Sequence, residues 1–261
     1  MKLTKKQIKQ HEEALKILEK DKLTFDDKLF VLENWHEGAE NNNALAGAFF
    51  TPYGLARDFK LEIYEENNRL IDLCSGIGAL SLPHYSFCEF YEIQHDITCI
   101  ELNPNYIEVG KKILPNAKWI QASALDLDFL KTLGKFDQAI SNPPFGKIKT
   151  AQTVDSNKEL KYKGAEFEFK LMEVGSKIAD YGTFLIPQTS TPFKYSGGQY
   201  FEDLRREDEG SRLPNKVKKF IKETGLEYQF GVGVDTTYYL DEWKGVKPTC
   251  EIVNFDFNVS T

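Results

Sequence analysis

Leu70-Ile71-Asp72-Leu73-Cys74-Ser75-Gly76-Ile77-Gly78 decides how this chain folds. A short, mostly apolar run enters a turn that carries two glycines. A strand ending in this way lets backbone approach a ligand closely, because a Cβ at Gly76 or Gly78 would occupy the ligand's space. Outward from this point the order strand, loop, helix repeats. Short apolar runs recur at residues 97–102, 119–120, 136–141 and 183–187, and helical stretches such as 105–113 and 166–178 fall between them. Alternation of this kind predicts right-handed βαβ units and a parallel sheet. Near the end, residues 228–234 and 251–257 are rich in β-branched and aromatic side chains. A longer segment with Gly245 and Pro248 separates them, which predicts a terminal antiparallel pair closing the sheet.

Ahead of the sheet, residues 1–40 read as two helices. Thr4 with Gln7 makes a capping box, after which Ile8, His11, Leu15 and Leu18 share one face. Thr24 with Asp27 is a second box, with Asp where Glu or Gln is preferred. The polar run 37–43 predicts a loop or hinge, so the division is a helical segment over 1–45 and a main domain over 46–261. No internal repeat or low-complexity segment is visible.

The 261 residues are 41% hydrophobic and 28% charged, with a net charge of -7. That supports one sizeable core. Apolar runs fall short of the ~20 residues of a membrane span, and residues 1–6 lead into no apolar signal core. The expected setting is the cytoplasm. Cys74, Cys88, Cys99 and Cys250 form no C-x-x-C pair, and His11, His36, His84 and His95 show no metal spacing, so no disulfide or metal is expected. An acidic balance argues against coating nucleic acid by bulk charge, although a local basic face remains available.

Three constellations carry chemistry. The first is the turn from Asp72 through Gly78. Ser81 stands where the dinucleotide fingerprint requires its third glycine, which disfavours nicotinamide binding. The second is Glu101, at the end of the next apolar run, where a carboxylate can accept both hydroxyls of a ribose. The third is Ser141-Asn142-Pro143-Pro144-Phe145-Gly146, directly after the run 136–140. Two prolines fix φ and remove two backbone donors. An amide, a rigid carbonyl and an aromatic ring are then presented together. That suits a planar ring bearing an exocyclic amine: the Asn142 side-chain oxygen and the Pro143 carbonyl accept its two hydrogens while Phe145 stacks on the ring.

On these residues the chain resembles the S-adenosylmethionine-dependent amino-methyltransferases that modify adenine N6, especially the DNA adenine methylases. Ala48-Phe49-Phe50-Thr51-Pro52 resembles the segment that caps the methionine end of the cofactor, and Asp72 through Gly78 looks like the cofactor loop. Glu101 looks like the ribose acid, and Asn142 through Phe145 like the catalytic tetrapeptide. Their order matches the permutation class in which the capping segment comes first. The resemblance spans residues 46 to about 190. It implies a doubly wound, seven-stranded, Rossmann-like α/β methyltransferase sheet after the short helical segment, with S-adenosylmethionine as cofactor. Phe50, Thr51, Pro52, Asp72, Cys74, Gly76, Gly78, Glu101, Leu102, Ser123 and Ala124 would line the cofactor site. One departure is that Ala122-Ser123-Ala124-Leu125 stands where the family usually has an acid for the cofactor's adenine.

The implied reaction is in-line methyl transfer to adenine N6 in DNA, with short or loose sequence specificity and no covalent intermediate. Phosphate contact is expected from Lys147 and Lys149, followed by Lys158, Lys161 and Lys163, and from residues 205–222, which hold seven basic and three acidic side chains. Phe193, Tyr195 and Tyr200 surround Ser196-Gly197-Gly198 and could stack on bases or simply pack under a loop. DNA is favoured over RNA by Phe145 and by Phe50-Thr51-Pro52. The rivals are the same chemistry on structural RNA, methylation of a protein glutamine, whose family usually ends the tetrapeptide in Tyr, and a silent binding subunit. A partner subunit is possible without being required, and both a restriction–modification and a phage setting remain open.

Overall fold

The structure, a computed structural model, describes residues 3–36, 50–64, 69–145, 159–206, 212–244 and 246–259. Both capping boxes form. Helix α1 (Lys5–Leu18) starts with the Gln7 amide donating to the Thr4 hydroxyl at 3.2 Å and the Thr4 amide donating to Gln7 Oε1 at 2.9 Å. Helix α2 (Phe25–Asn34) repeats the device with Thr24 and Asp27 at 3.1 and 3.0 Å, so the shorter Asp suffices. The buried face of α1 differs from the expected one. His11 and Ala14 point inward, whereas Ile8 and Leu15 are 44% and 39% exposed. His11 can be buried because its Nδ1 accepts from the His36 amide at 3.1 Å, and small Ala14 allows α2 to come close.

Helix α3 (Tyr53–Phe59) leads to the sheet. Strands β1 (Arg69–Leu73), β2 (Asp96–Glu101), β3 (Lys118–Gln121), β4 (Phe136–Ser141) and β5 (Ala179–Pro187) are parallel. Between them run α4 (Leu82–Phe90), α5 (Pro104–Ile113), α6 (Leu127–Thr132) and α7 (Phe167–Ile178). After β5 come a two-stranded hairpin, β6 (Phe193–Lys194) and β7 (Glu202–Asp203), then α8 (Asn215–Thr224), and β8 (Cys250–Asp256) antiparallel to β5. The main sheet has the order β3-β2-β1-β4-β5-β8.

Alternation along the strands divides the interior in two. Leu70, Ile97, Cys99, Ile140, Leu185 and Ile252 pack with α1 to α5, while Ile71, Leu73, Ile100, Ala139, Phe184 and Val253 pack with α6 to α8. Ala14, Val31, Leu32 and Trp35 of the first two helices join the former core. Chain direction away from β1 reverses at β4, so their carboxyl ends flank a crevice.

Among the described residues six strands form the main sheet, which corrects the expectation of seven. Residues 228–234 contribute one bridge, Gln229 to Asn254. Beyond it the Val232 amide donates at 2.5 Å to Glu62, and a Cβ at Gly231 would lie 1.9 Å from that carboxylate. Gly231 therefore lets the backbone turn onto Glu62 instead of continuing the ladder. Among the described residues no helix is long and apolar enough to cross a membrane.

Candidate active site

The turn after β1 is fastened to β2. Ser75 N donates to the Ile100 carbonyl at 3.0 Å, and Ser75 Oγ donates to the Asp72 carbonyl at 2.7 Å. Cys74 and Gly76 take φ of +63° and +56° to make the reversal. Glu101 completes it: one carboxylate oxygen accepts from Gly76 N at 2.9 Å, the other from Leu102 N and Asn103 N at 2.7 and 2.8 Å. These bonds fix the carboxylate at the mouth of the crevice, beside the 55% exposed Leu102.

The two glycines have different tasks from those expected. A Cβ on Gly76 would meet the Phe50 ring at 3.0 Å, so this glycine lets the capping segment close over the turn. On Gly78, φ +85°, it would meet Leu114 at 2.9 Å and Trp119 at 3.4 Å, which is packing against core and not space for a ligand.

Phe50 is seated by aromatic neighbours. Tyr106 lies 5.2 Å and Trp35 5.8 Å from it between ring centroids. Through Trp35 the N-terminal helices support this cap, a contribution that local motifs did not reveal. Ala48 and Phe49 lie outside the described residues. Pro52 starts α3, and its carbonyl accepts from Ala56 N at 2.9 Å.

The tetrapeptide leaves β4 at the same level. Asp72 pairs with Ile140 across the ladder, and Ser141 Oγ donates to the Leu73 carbonyl. Asn142 Nδ2 donates to Thr51 Oγ1 at 2.9 Å, joining the tetrapeptide to the capping segment 91 positions earlier. That bond orients the amide and presents its oxygen as the acceptor end. Pro143 is buried, while Pro144 and Phe145 are half-buried. Phe145 packs partly against the core shared with Phe50 and Tyr53.

The site is lined by acidic side chains. Asp72 is 1% exposed; its Oδ2 accepts from Ser81 at 2.6 Å, while Oδ1 is buried without a hydrogen-bond partner among the described residues. Burial raises its carboxyl to about 7, against the lowering effect of Ser81 and with a further rise from Glu101. Ser81, the residue in place of the third fingerprint glycine, thus serves Asp72. A pyrophosphate would meet two carboxylates here. A nucleoside with a ribose diol suits this lining better, with Glu101 as the residue that would hold the ribose. Burial, then Glu101 and Asp72, push the Cys74 thiol well up, which disfavours a reactive thiolate there.

Ser123 and Ala124 follow β3. The Ser123 hydroxyl accepts from Leu125 N at 3.3 Å, and Ala124 is buried in the core. Lys147, Lys149 and Lys158 lie outside the described residues. Lys161 and Lys163 are exposed. Much of the charge over 205–222 is committed: Arg205 binds Asp203 at 3.0 Å, Arg212 binds Glu202 at 2.5 Å, and Lys216 binds Ser190 at 2.7 Å. Phe193 is 4% exposed and belongs to the core, so it is unavailable for stacking, whereas Tyr195 is half-buried and Tyr200 is exposed. None of the four cysteines, all of them among the described residues, is in a disulfide. Among the described residues no cluster of metal-binding side chains occurs.

Residues 55–166 match a family model described as the methyltransferase small domain. None of the curated proteins compared with the chain matches it. Solved structures with the same fold include a protein from Listeria monocytogenes taken to be a class I S-adenosylmethionine-dependent methyltransferase (TM-score 0.57, 14% identity, 94% of this chain and 71% of that one). Another is the type I restriction–modification methyltransferase subunit from Streptococcus thermophilus (TM-score 0.54, 13% identity, 91% and 51%). A third is the modification subunit of a protein from Vibrio vulnificus taken to be a type I restriction enzyme (TM-score 0.53, 13% identity, 84% and 46%). The chain spans about half the length of these two subunits. The matched segment runs from α3 through the tetrapeptide.

Proposed function

We propose that this chain is an S-adenosylmethionine-dependent methyltransferase that modifies the N6 amine of adenine in DNA. The observation that carries the proposal is the placement of Asn142-Pro143-Pro144-Phe145 at the end of β4, beside the Asp72–Gly78 turn, with the Asn142 amide tied to Thr51. When bound, the cofactor supplies an electrophilic methyl on a sulfonium. Everything else falls to the chain's own residues. Asn142 Oδ1 and the Pro143 carbonyl accept the two hydrogens of the target amine. Its lone pair is delocalised into the ring, and these bonds favour the tetrahedral nitrogen that develops in the transition state. Both acceptors are held before the substrate arrives, one by Thr51 and the other by the proline pair, so little reorganisation is needed. Phe145 stacks on the target ring. A duplex adenine has to leave its stack, which costs a few kcal/mol that this stacking partly offsets.

The reading is tested by incubating the chain with labelled S-adenosylmethionine and equal amounts of DNA, RNA and protein extract, then digesting each pool to its components. Label in DNA as N6-methyldeoxyadenosine is expected, and Asn142→Ala should abolish it. Label confined to RNA or to protein glutamine would overturn the DNA assignment.

A further inference from the structure

We propose that Tyr200 and Tyr238 form a stacking rim for the bases that flank the target nucleotide, an inference that rests on the nucleic-acid reading of the site. Both rings are 83% exposed. Both nevertheless sit on segments that are firmly held at the catalytic edge.

Tyr238 belongs to the 3-10 turn Thr236–Tyr239. Its neighbour Tyr239 donates its hydroxyl to Asp58 and lies so close to Gly54 that a Cβ there would be 2.6 Å from the ring. Gly54 lies three residues beyond Thr51, the acceptor of the Asn142 amide. The turn that displays Tyr238 is therefore fastened to the same short segment that orients the tetrapeptide.

Tyr200 lies in the connection between β6 and β7. At its base, the buried Glu251 carboxylate accepts from Tyr195 N at 2.8 Å, Ser196 N at 2.9 Å, Ser196 Oγ at 3.0 Å and Gln188 Nε2 at 2.8 Å. Across the gap, Gly197 N donates to Asp235 at 3.0 Å, and Thr236 N donates to Ser196 Oγ at 3.0 Å. Hairpin and turn thus form one unit, and Glu251 is its positioning residue. Because the segments are ordered before binding, the rings lose little freedom when they engage a ligand.

Base faces fit this rim better than phosphates do. The cations at the hairpin are committed, Lys194 to Glu202 at 3.6 Å and Arg205 to Asp203 through Nε at 3.0 Å and Nη2 at 3.1 Å. Two inter-strand steps, about 10 Å, separate β4 from β8, where Glu251 sits. Every base has a π-face, so a rim of this kind holds flanking nucleotides without selecting among them.

The test uses DNA oligonucleotides carrying one fluorescent 2-aminopurine at successive positions beside the target adenine, with the full chain and its Tyr200→Ala, Tyr238→Ala, double Ala and double Phe variants. Stacking on the rim should change the fluorescence at particular flanking positions. The double Ala variant should lose that signal and at least ten-fold in DNA affinity. The double Phe variant should keep both, and all variants should bind S-adenosylmethionine and melt like the parent. Unchanged DNA affinity in the double Ala variant, with the parent still methylating DNA, would remove the rim alone. A parent that binds no nucleic acid would remove the rim and the proposed function together.

Discussion

Burial raises the Asp72 carboxyl to about 7, far above the ordinary carboxylate value, so the folded chain holds a proton there that the unfolded chain releases near pH 4. The folded state therefore binds more protons between those values, and this residue's contribution to stability is lost as pH rises from about 4 to about 7. The gap corresponds to something on the order of 4 kcal/mol. Urea unfolding between pH 5 and 8 should show this decline, and Asp72→Asn should flatten it; equal slopes in both proteins would contradict the assignment. Asn142→Ala should reduce turnover by roughly 100-fold or more while cofactor affinity changes little, because the lost acceptor acts mainly in the transition state. Single-turnover rates and calorimetry separate the two effects. At this scale Asp72, Glu101 and the tetrapeptide were legible because short motifs place them at strand ends. The task of Gly78 was not, since whether a Cβ would meet ligand or Leu114 depends on a helix that arrives 36 residues later.

Helix α5 approaches β3 through one small residue. A Cβ at Gly110 would lie 2.1 Å from the Trp119 ring, so Gly110→Ala should force that ring or the whole helix to shift and destabilise the fold by about 1–3 kcal/mol. A lower urea midpoint with an unchanged slope is the expected record. Truncating the second capping box by Thr24→Ala should cost about 1 kcal/mol, because Asp27 N and Thr24 N lose their reciprocal arrangement. Boxes, strands and crossover helices could be read locally, since each writes its signal within a few residues. Two features could not. Residues 228–234 have the composition of a strand, yet Glu62, in the 3-10 turn that follows α3, captures the Val232 amide. The β6–β7 ladder is two residues long on each side, too short for any periodicity, and its stability comes from the distant Glu251.

Across the whole molecule, α7, β5, α8 and β8 complete the two cores, and short anchored segments lie between them on the substrate side. Three buried carboxylates fix loops on that side: Glu173 accepts from Lys161 N and Tyr162 N, Glu168 accepts from Ser190 Oγ, and Glu251 holds the hairpin. The described segments between these anchors are short, and their buried side chains, such as Leu160, Tyr162 and Phe193, join one of the two main cores, unlike those of an independently folded reader. Each base pair that is read directly requires side chains placed against its edge, worth about 1–3 kcal/mol of discrimination. Stacking on exposed rings supplies affinity with little discrimination. The chain should therefore methylate adenine in many contexts or within a very short motif, and its DNA affinity should fall as salt rises, through contacts such as Lys161, Lys163 and the exposed lysines of α8. Base-resolved sequencing of DNA methylated to completion by this chain checks the first expectation, and titrations at several salt concentrations check the second. A single site of six or more specified base pairs would show that sequence is read elsewhere, by a partner or by further chain, and that the rim and its anchored loops only hold what has already been selected.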